Sequence, residues 1–358
     1  TRALEVEPNN SYALYNRGIT RDRMGEYEAA TADFSSAIFQ DPSNADFYHN
    51  RGFSLRKQGK FQEAIADYTR AIELQPRHCR AYYNRAFSHD RLRNYHAAIE
   101  DYSKALQLEP NNPTAYHNRG SLYDRLGDYE SALSDFGRAI KLDESAALSF
   151  NARGLLHERA GRAHEALADF DAAVQLDPQN DNFLRNRALC HRSHGQLLEA
   201  IRDFSTLLEM SPDDVTTLAN RGYLHRKLGD YERAVADYTA ALSISPNEVR
   251  LYNNRGYCLA KLGRYQDAVA DYDAVLQQEP NNMYALHNRG ISLDQLRSYQ
   301  AAVQDFTSVL HQDPLNANAY INRGSSYDSM GEHARAVSDY TAALDLDESG
   351  GGGGWGRD

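Results

Sequence analysis

An arginine recurs every 34 residues along this chain, with no residue inserted or lost between its ten copies. The residue after it is always glycine or alanine. A fixed period of this length is typical of proteins whose units stack in one direction, because each unit covers the apolar face of its neighbour. The period therefore predicts one continuous repeat array, although 358 residues would otherwise suggest two or three domains. The ten arginines are Arg17, Arg51, Arg85, Arg119, Arg153, Arg187, Arg221, Arg255, Arg289 and Arg323.

Composition and charge narrow the classes of protein that fit the chain. Apolar residues make up 41% and charged residues 25%, which is ordinary for a folded protein. The net charge is −11, whereas a nucleic-acid-binding surface is normally basic, so we expect no nucleic acid partner. The sequence contains no secretory signal and no membrane-length apolar run, and we expect no membrane partner. Its three cysteines, Cys79, Cys190 and Cys258, form no CxxC pair, which favours a reducing, cytoplasmic compartment.

Each repeat reads as two antiparallel helices. In the copy at residues 45–78, apolar residues at i, i+4 and i+7 predict an amphipathic helix over 45–58. Gly59 follows, and glycine readily ends a helix because it tolerates a positive φ. A second periodic stretch covers 61–74. Pro76 stops it and begins the connection to the next copy.

The same small and aromatic positions recur in every copy. An alanine stands at the position of Ala64, and an aromatic residue at the position of Tyr68, in all ten copies. Their helical spacing identifies them as core. The order aromatic, small residue, Gly, Tyr, Ala, aromatic, Ala, Pro across 34 residues resembles the tetratricopeptide repeat (TPR) family. The resemblance implies an all-α, right-handed superhelical solenoid of antiparallel helix pairs with a concave inner surface, and a protein-binding rather than catalytic role.

The period also sets the expected domain boundaries. Ten tandem repeats occupy residues 11–349, and residues 1–10 match the end of a preceding second helix. Residues 350–358 form a glycine-rich tail, expected to be a flexible linker, either native or a fusion scar. Solenoids usually need polar capping helices to cover the apolar faces of their terminal repeats. End-to-end self-association through the terminal repeats is therefore a further hypothesis for a partner. Residues 143–200 are the least regular, which indicates either a change of curvature or an edge between two binding segments.

An aspartate follows each recurrent arginine by sixteen residues and immediately precedes the packed aromatic residue. The co-occurrence in all ten copies suggests that the arginine of a first helix meets the aspartate of a second helix, within a repeat or across its boundary. A charged binding groove is one interpretation, and a structural ion pair is the favoured one. The aspartates are Asp33, Asp67, Asp101, Asp135, Asp169, Asp203, Asp237, Asp271, Asp305 and Asp339.

An asparagine precedes the recurrent arginine in nine copies, and Ala152 replaces it in the tenth. Asparagine is a poor residue for a helix interior, so its recurrence needs a cause. The amide either bonds to the preceding repeat and locks the stacking, or grips the backbone of an extended peptide with its donors and acceptor. The TPR resemblance implies that an asparagine here faces the concave surface and contacts the ligand backbone, which makes these nine residues the candidate partner-binding site. We call them the asparagine ladder: Asn16, Asn50, Asn84, Asn118, Asn186, Asn220, Asn254, Asn288 and Asn322.

No unique constellation of catalytic residues appears in the sequence. His157, His191 and His225 are spaced by 34 residues, but neighbouring repeats separate them by roughly 10 Å or more, too far to share a metal. There is no Ser-His-Asp set, phosphate-binding loop or HExxH motif. We therefore expect a protein that is not an enzyme, with no cofactor and no metal.

Two functions remain open from the sequence. The first is a scaffold that binds extended segments or helices of partner proteins within a larger complex. Ciliary, transport and chaperone complexes all use such arrays. A cytoskeletal or ciliary location is therefore an alternative to the general cytoplasm. The second is the substrate-recruiting arm of a larger enzyme, as in the glycosyltransferases and phosphatases that carry such repeats, with a catalytic domain outside this chain.

Overall fold

In the computed structural model, residue 7 and residues 9–348 are described. They form twenty α-helices and no β-strand, which confirms the predicted all-α solenoid of antiparallel helix pairs. The predicted tail at 350–358 and most of the predicted helix remnant at 1–10 lie outside the described residues.

The helices alternate between the first and the second helix of successive repeats. The first helices are α1 (Ser11–Arg23), α3 (Ala45–Lys57), α5 (Cys79–Arg91), α7 (Pro113–Leu126), α9 (Ala147–Arg159), α11 (Asp181–Ser193), α13 (Val215–Lys227), α15 (Val249–Lys261), α17 (Met283–Gln295) and α19 (Ala317–Ser329). The second helices are α2 (Tyr27–Gln40), α4 (Phe61–Leu74), α6 (Tyr95–Leu108), α8 (Tyr129–Leu142), α10 (Ala163–Leu176), α12 (Leu197–Met210), α14 (Tyr231–Ile244), α16 (Tyr265–Gln278), α18 (Tyr299–Gln312) and α20 (His333–Glu348).

Local side chains and turn residues fix where the first helices begin and end. The side chains of Asn10, Asn112 and Asn282 accept a hydrogen bond from a backbone N–H in the first turn, which satisfies a donor that has no partner inside the helix. Within the described residues, eight turns to the second helix carry a glycine with φ between 71° and 81°. Arg93 and Arg297 take the same left-handed conformation, with φ of 62° and 61°, at a cost that glycine avoids.

The small residue after the recurrent arginine sits directly against the packed aromatic ring. A Cβ added to Gly222 would lie 3.1 Å from Cε1 of Tyr238. Alanine is nevertheless accommodated at Ala86 and Ala188, which are fully buried. Nine of the ten aromatic residues at the Tyr68 position are at most 1% exposed. The sequence-based assignment of these positions to the core is confirmed.

The chain divides into two compact units, Thr1–Phe183 and Leu184–Asp358. The boundary falls inside α11, within the irregular stretch 143–200. In each unit the two helices of a repeat pack together, the second helix packs on the next first helix, and several neighbouring first helices also contact one another. The first helices thus form one face of each unit.

Candidate functional site

Every recurrent arginine forms a bidentate ion pair with the aspartate of its own repeat. Nε and Nη2 of Arg85 donate to the two carboxylate oxygens of Asp101, both at 2.7 Å. The same two bonds recur in all ten repeats. The aspartates are 3–6% exposed. The structural interpretation of the arginine and aspartate pattern is therefore confirmed, with both partners inside one repeat.

The third guanidinium nitrogen reaches back to the preceding repeat. Nη1 of Arg85 donates to Oγ1 of Thr69 at 2.9 Å, and Nη1 of Arg119 donates to Oγ of Ser103 at 2.9 Å. Hydrogen bonding to the aspartate raises the pKa of both arginines. Each such arginine links the two helices of its own repeat to the second helix before it. The sequence analysis missed this acceptor position, although Ser, Thr or Asp directly follows the packed aromatic residue in nine of ten repeats.

Four members of the asparagine ladder bond to the preceding first helix. Their Nδ2 atoms lie 2.9–3.3 Å from the side chain 35 residues earlier, which is a tyrosine or a histidine. These contacts fix the stacking of neighbouring first helices. They also leave each Oδ1 atom without a hydrogen bond from the described residues. The four pairs are Asn50 with Tyr15, Asn84 with His49, Asn118 with Tyr83, and Asn322 with His287.

The remaining ladder residues are held differently. Nδ2 of Asn220 and of Asn288 donates to a carbonyl oxygen of its own helix, four residues earlier. The side chain of Asn254 is half-buried and makes no hydrogen bond to any described residue. The residue 35 positions earlier, Ala219, offers it no side-chain acceptor. Asn16 is exposed on α1, and Asn186 is half-buried on α11.

A cavity of about 850 Å³ opens on the first-helix face of the second unit. Its lining comes from three successive repeats, through residues of α11, α13 and α15, the first residue of α12 and the connecting segments. The ladder residues Asn220 and Asn254 both border it. Ligand pockets in proteins commonly measure about 300–1,000 Å³, so this cavity has the size of a binding site.

An aromatic and cationic cluster lies on the helices that line this cavity. Tyr223 forms part of the cavity wall. The Arg226 guanidinium carbon lies 5.3 Å from the ring centre of Tyr223 and 5.1 Å from that of Tyr257, one repeat later. The Lys261 ammonium lies 5.3 Å from the Tyr257 ring centre. These distances are those of cation–π contacts, and they make a continuous surface from α13 to α15.

Two of the three histidines spaced by 34 residues, His157 and His225, lie near aspartates. Nε2 of His157 lies 3.8 Å from Asp169, and burial lowers the pKa of His157 and of His225. No group of three His, Cys, Asp or Glu side chains among the described residues is arranged to hold a metal ion. Of the described helices, none is both long and apolar enough to cross a membrane.

Comparison with known protein families shows to which family the repeats belong. A tetratricopeptide repeat model matches residues 117–181, 151–215, 219–282 and 287–351, which together cover more than half of the chain. Further tetratricopeptide or TPR repeat models match 45–78, 23–59, 94–127 and 1–32. The chain belongs to the tetratricopeptide repeat family. A search of curated protein sequences gave no significant match.

Two solved structures of TPR proteins have a fold similar to that of this chain. The C-terminal part of a TPR repeat-containing protein from Cytophaga hutchinsonii is 19% identical, with a TM-score of 0.57 over 67% of this chain and 98% of that one. A tetratricopeptide repeat protein from Parabacteroides merdae is 23% identical, with a TM-score of 0.50 over 70% of this chain and 98% of that one. At these identities the likeness concerns the fold alone. TPR arrays are protein-interaction scaffolds, and this coarse function applies to the chain.

Proposed function

We propose that this chain is a non-catalytic scaffold that holds extended segments of partner proteins against its first helices, with the asparagine ladder contacting the partner backbone. The observation that carries the proposal is the amide of Asn254, which lies at a cavity of about 850 Å³ and has no hydrogen-bond partner among the described residues. An amide can donate to a backbone C=O and accept from a backbone N–H. Asn220, one repeat earlier, borders the same cavity.

The partly satisfied ladder residues support the same proposal. Asn288 donates its Nδ2 hydrogen to a carbonyl oxygen of its own helix, so this bond does not hold two helices together. Asn220 does the same, but its Oδ1 atom also accepts a hydrogen bond from Arg192 of the preceding first helix. The Oδ1 atom of Asn288 accepts no hydrogen bond in the described part of the chain. An extended partner lying across α13, α15 and α17 would meet one amide per repeat. Such a ladder binds backbone groups and leaves the choice of sequence to neighbouring side chains.

A capture experiment tests the role of these amides. The wild-type chain and an Asn220→Ala, Asn254→Ala, Asn288→Ala variant are used to capture proteins from a cell lysate, and circular dichroism verifies that both are helical. We expect the variant to lose specific partners while its helicity is unchanged.

The matched control removes three exposed amides from second helices of the same unit: Gln266→Ala, Gln300→Ala and Gln304→Ala. This control should keep the partners. Equal retention by both variants, or equal loss, would contradict a binding role for the ladder.

A further inference from the structure

Most of the charged side chains that line the cavity of the second unit are positive, although the chain as a whole is negatively charged. The whole sequence carries a net charge of −11. Arg192, Lys227 and Arg250 line the cavity, and Glu248 is the one acidic residue among its lining residues. A cavity with an excess of one sign of charge concentrates ligands of the opposite sign. The lining therefore favours an anionic ligand.

These three cations are not neutralised by the protein itself. Lys227 and Arg250 are exposed and form no ion pair with a described residue. Arg192 donates through Nη1 to Oδ1 of Asn220 rather than to a carboxylate. The recurrent arginines behave in the opposite way, because each of them has a buried aspartate. With three cations and one carboxylate, that of Glu248, the lining has an excess of positive charge, and a bound anion would reduce the repulsion among the cations.

The guanidinium of Arg226 belongs to the aromatic surface beside the cavity. It is stacked between two tyrosine rings, and its Nε atom is buried without a hydrogen-bond acceptor. Arg56 in the first unit is stacked in the same way between two phenylalanine rings, and its Nε atom is also without an acceptor, so this arrangement belongs to the repeat and does not indicate a ligand. Tyr223, one of the two rings, also borders the cavity and offers it an apolar wall.

We propose that this cavity binds an extended acidic segment of another protein. Lys227 and Arg250 pair with carboxylates of the segment, the amides of Asn220 and Asn254 contact its backbone, and Tyr223 packs against one of its apolar side chains. The proposal rests on the scaffold function proposed above and adds the chemical class of the partner. The lining comes from three successive repeats, which suits a ligand that runs across them. The chain's net charge of −11 opposes approach of the dense phosphates of a nucleic acid.

The test selects peptides and then measures their affinity. A random twelve-residue peptide library displayed on phage is selected on the full chain. The binding of selected peptides, labelled with fluorescein, is followed by fluorescence anisotropy at 50 and at 300 mM salt, concentrations chosen on the basis of charge screening. The variant is Lys227→Glu, Arg250→Glu. Its control is Lys141→Glu, Arg202→Glu, which makes the same charge change at exposed positions of α8 and α12.

We expect the selected peptides to be rich in Asp and Glu. Their affinity should fall about tenfold or more in the Lys227→Glu, Arg250→Glu variant, remain within about twofold in the control, and weaken at the higher salt concentration. Replacing Asp and Glu of the peptide by Asn and Gln should have a similar effect.

Other outcomes separate the failure of this inference from the failure of the scaffold function. Peptides without acidic enrichment whose binding still requires Asn254 would overturn the acidic partner and leave the scaffold standing. Selection of no peptide that depends on the ladder would overturn both. Equal competition by a single-stranded DNA oligonucleotide would show a site for anions in general and overturn a protein partner. Self-association in light scattering that disappears on charge reversal would make a second copy of this chain the occupant.

Discussion

The ion pair between Arg221 and Asp237 allows a stability prediction to be worked out from geometry. Asp237 is 5% exposed and accepts hydrogen bonds of 3.0 and 2.7 Å from Nε and Nη2 of Arg221. Arg221→Ala removes both bonds and leaves a carboxylate buried without its cation. Removing one partner of a buried pair costs about 3–5 kcal/mol.

The surroundings of the pair place the expected loss near the lower end of that range. A cavity of about 380 Å³ is bordered by Arg221 and Asp237, and water that enters such a polar space can hydrate the abandoned carboxylate. We therefore expect Arg221→Ala to lower the free energy of unfolding by about 3 kcal/mol. Asn220→Ala is the control on the same helix. It should cost about 1 kcal/mol or less, because its bonds are to Thr216 and Arg192.

The assay has to measure the stability of individual repeats. Stability in a repeat array is a sum over repeats and interfaces, so a single two-state free energy does not describe the whole chain. Hydrogen exchange followed by mass spectrometry reports the opening of individual segments. Protection should fall most in α13 and α14 in the Arg221→Ala variant. Adding Asp237→Ala should restore part of the loss, because the uncompensated charge is then absent. Equal, negligible losses for Arg221→Ala and Asn220→Ala would refute the buried pair as a source of stability.

Three further substitutions test other features. Burial, together with nearby positive charges, lowers the pKa of His49 to about 3. His49 of the unfolded chain therefore binds a proton near pH 6.5, whereas His49 of the folded chain stays neutral, so the free energy of unfolding should fall by about 2 kcal/mol between pH 6.5 and 5. The variant His49→Tyr should not show this loss in urea titrations. Asn118→Ala should cost about 1–3 kcal/mol, because it leaves the buried Tyr102 hydroxyl without the amide at 3.3 Å, whereas Asn254→Ala should leave thermal stability nearly unchanged. Arg297→Gly should raise stability by about 0.5–1 kcal/mol in thermal unfolding, since glycine adopts its φ of 61° without strain.

Each of these predictions has an outcome that contradicts it. The stability of His49→Tyr falling with pH as steeply as that of the wild type would show that His49 does not contribute to the acid response. Equal losses for Asn118→Ala and Asn254→Ala would show that the hydrogen bonds of the ladder do not distinguish its members. A lower melting temperature for Arg297→Gly would mean that the arginine side chain outweighs the relief of backbone strain.

The recurrence of residues was sufficient to predict the helix pairs, their core and the ion pairs. Helical spacing gave the buried faces, and the constant offset of sixteen residues gave the partners of the arginines. The offset alone left open whether Arg85 meets Asp101 within one repeat or an aspartate across its boundary, because a strict period makes both choices look alike. The turn between α5 and α6 decides it by folding the two helices of one repeat together.

The cavity could not be predicted in the same way. Arg192 and Arg250 occupy positions whose residue type changes from repeat to repeat, and a search for recurrence passes over such positions. The position of Lys227 is Lys or Arg in seven of the ten repeats, so its recurrence does not single out this cavity. Whether these three side chains converge depends on the stacking of three first helices, which the pattern of a single repeat does not contain. A search of the sequence for cations clustered in neighbouring first helices would have found the candidates but not the cavity between them.

Under the proposed function, the division between recurrent and variable residues explains why one asparagine position contributes to stacking in some repeats and to partner binding in others. The amide of a ladder residue reaches the side chain 35 residues earlier when that residue is tyrosine or histidine, as Asn84 reaches His49. Where the earlier residue is Ala219, the amide of Asn254 has no such partner in the described structure. A change at the variable position thus converts a stacking contact into an available binding group without altering the ladder itself. In the first unit Tyr15, His49 and Tyr83 each hold a later amide, and in the second unit His287 holds that of Asn322. The second unit, where the cations converge, is the better candidate for selecting partners.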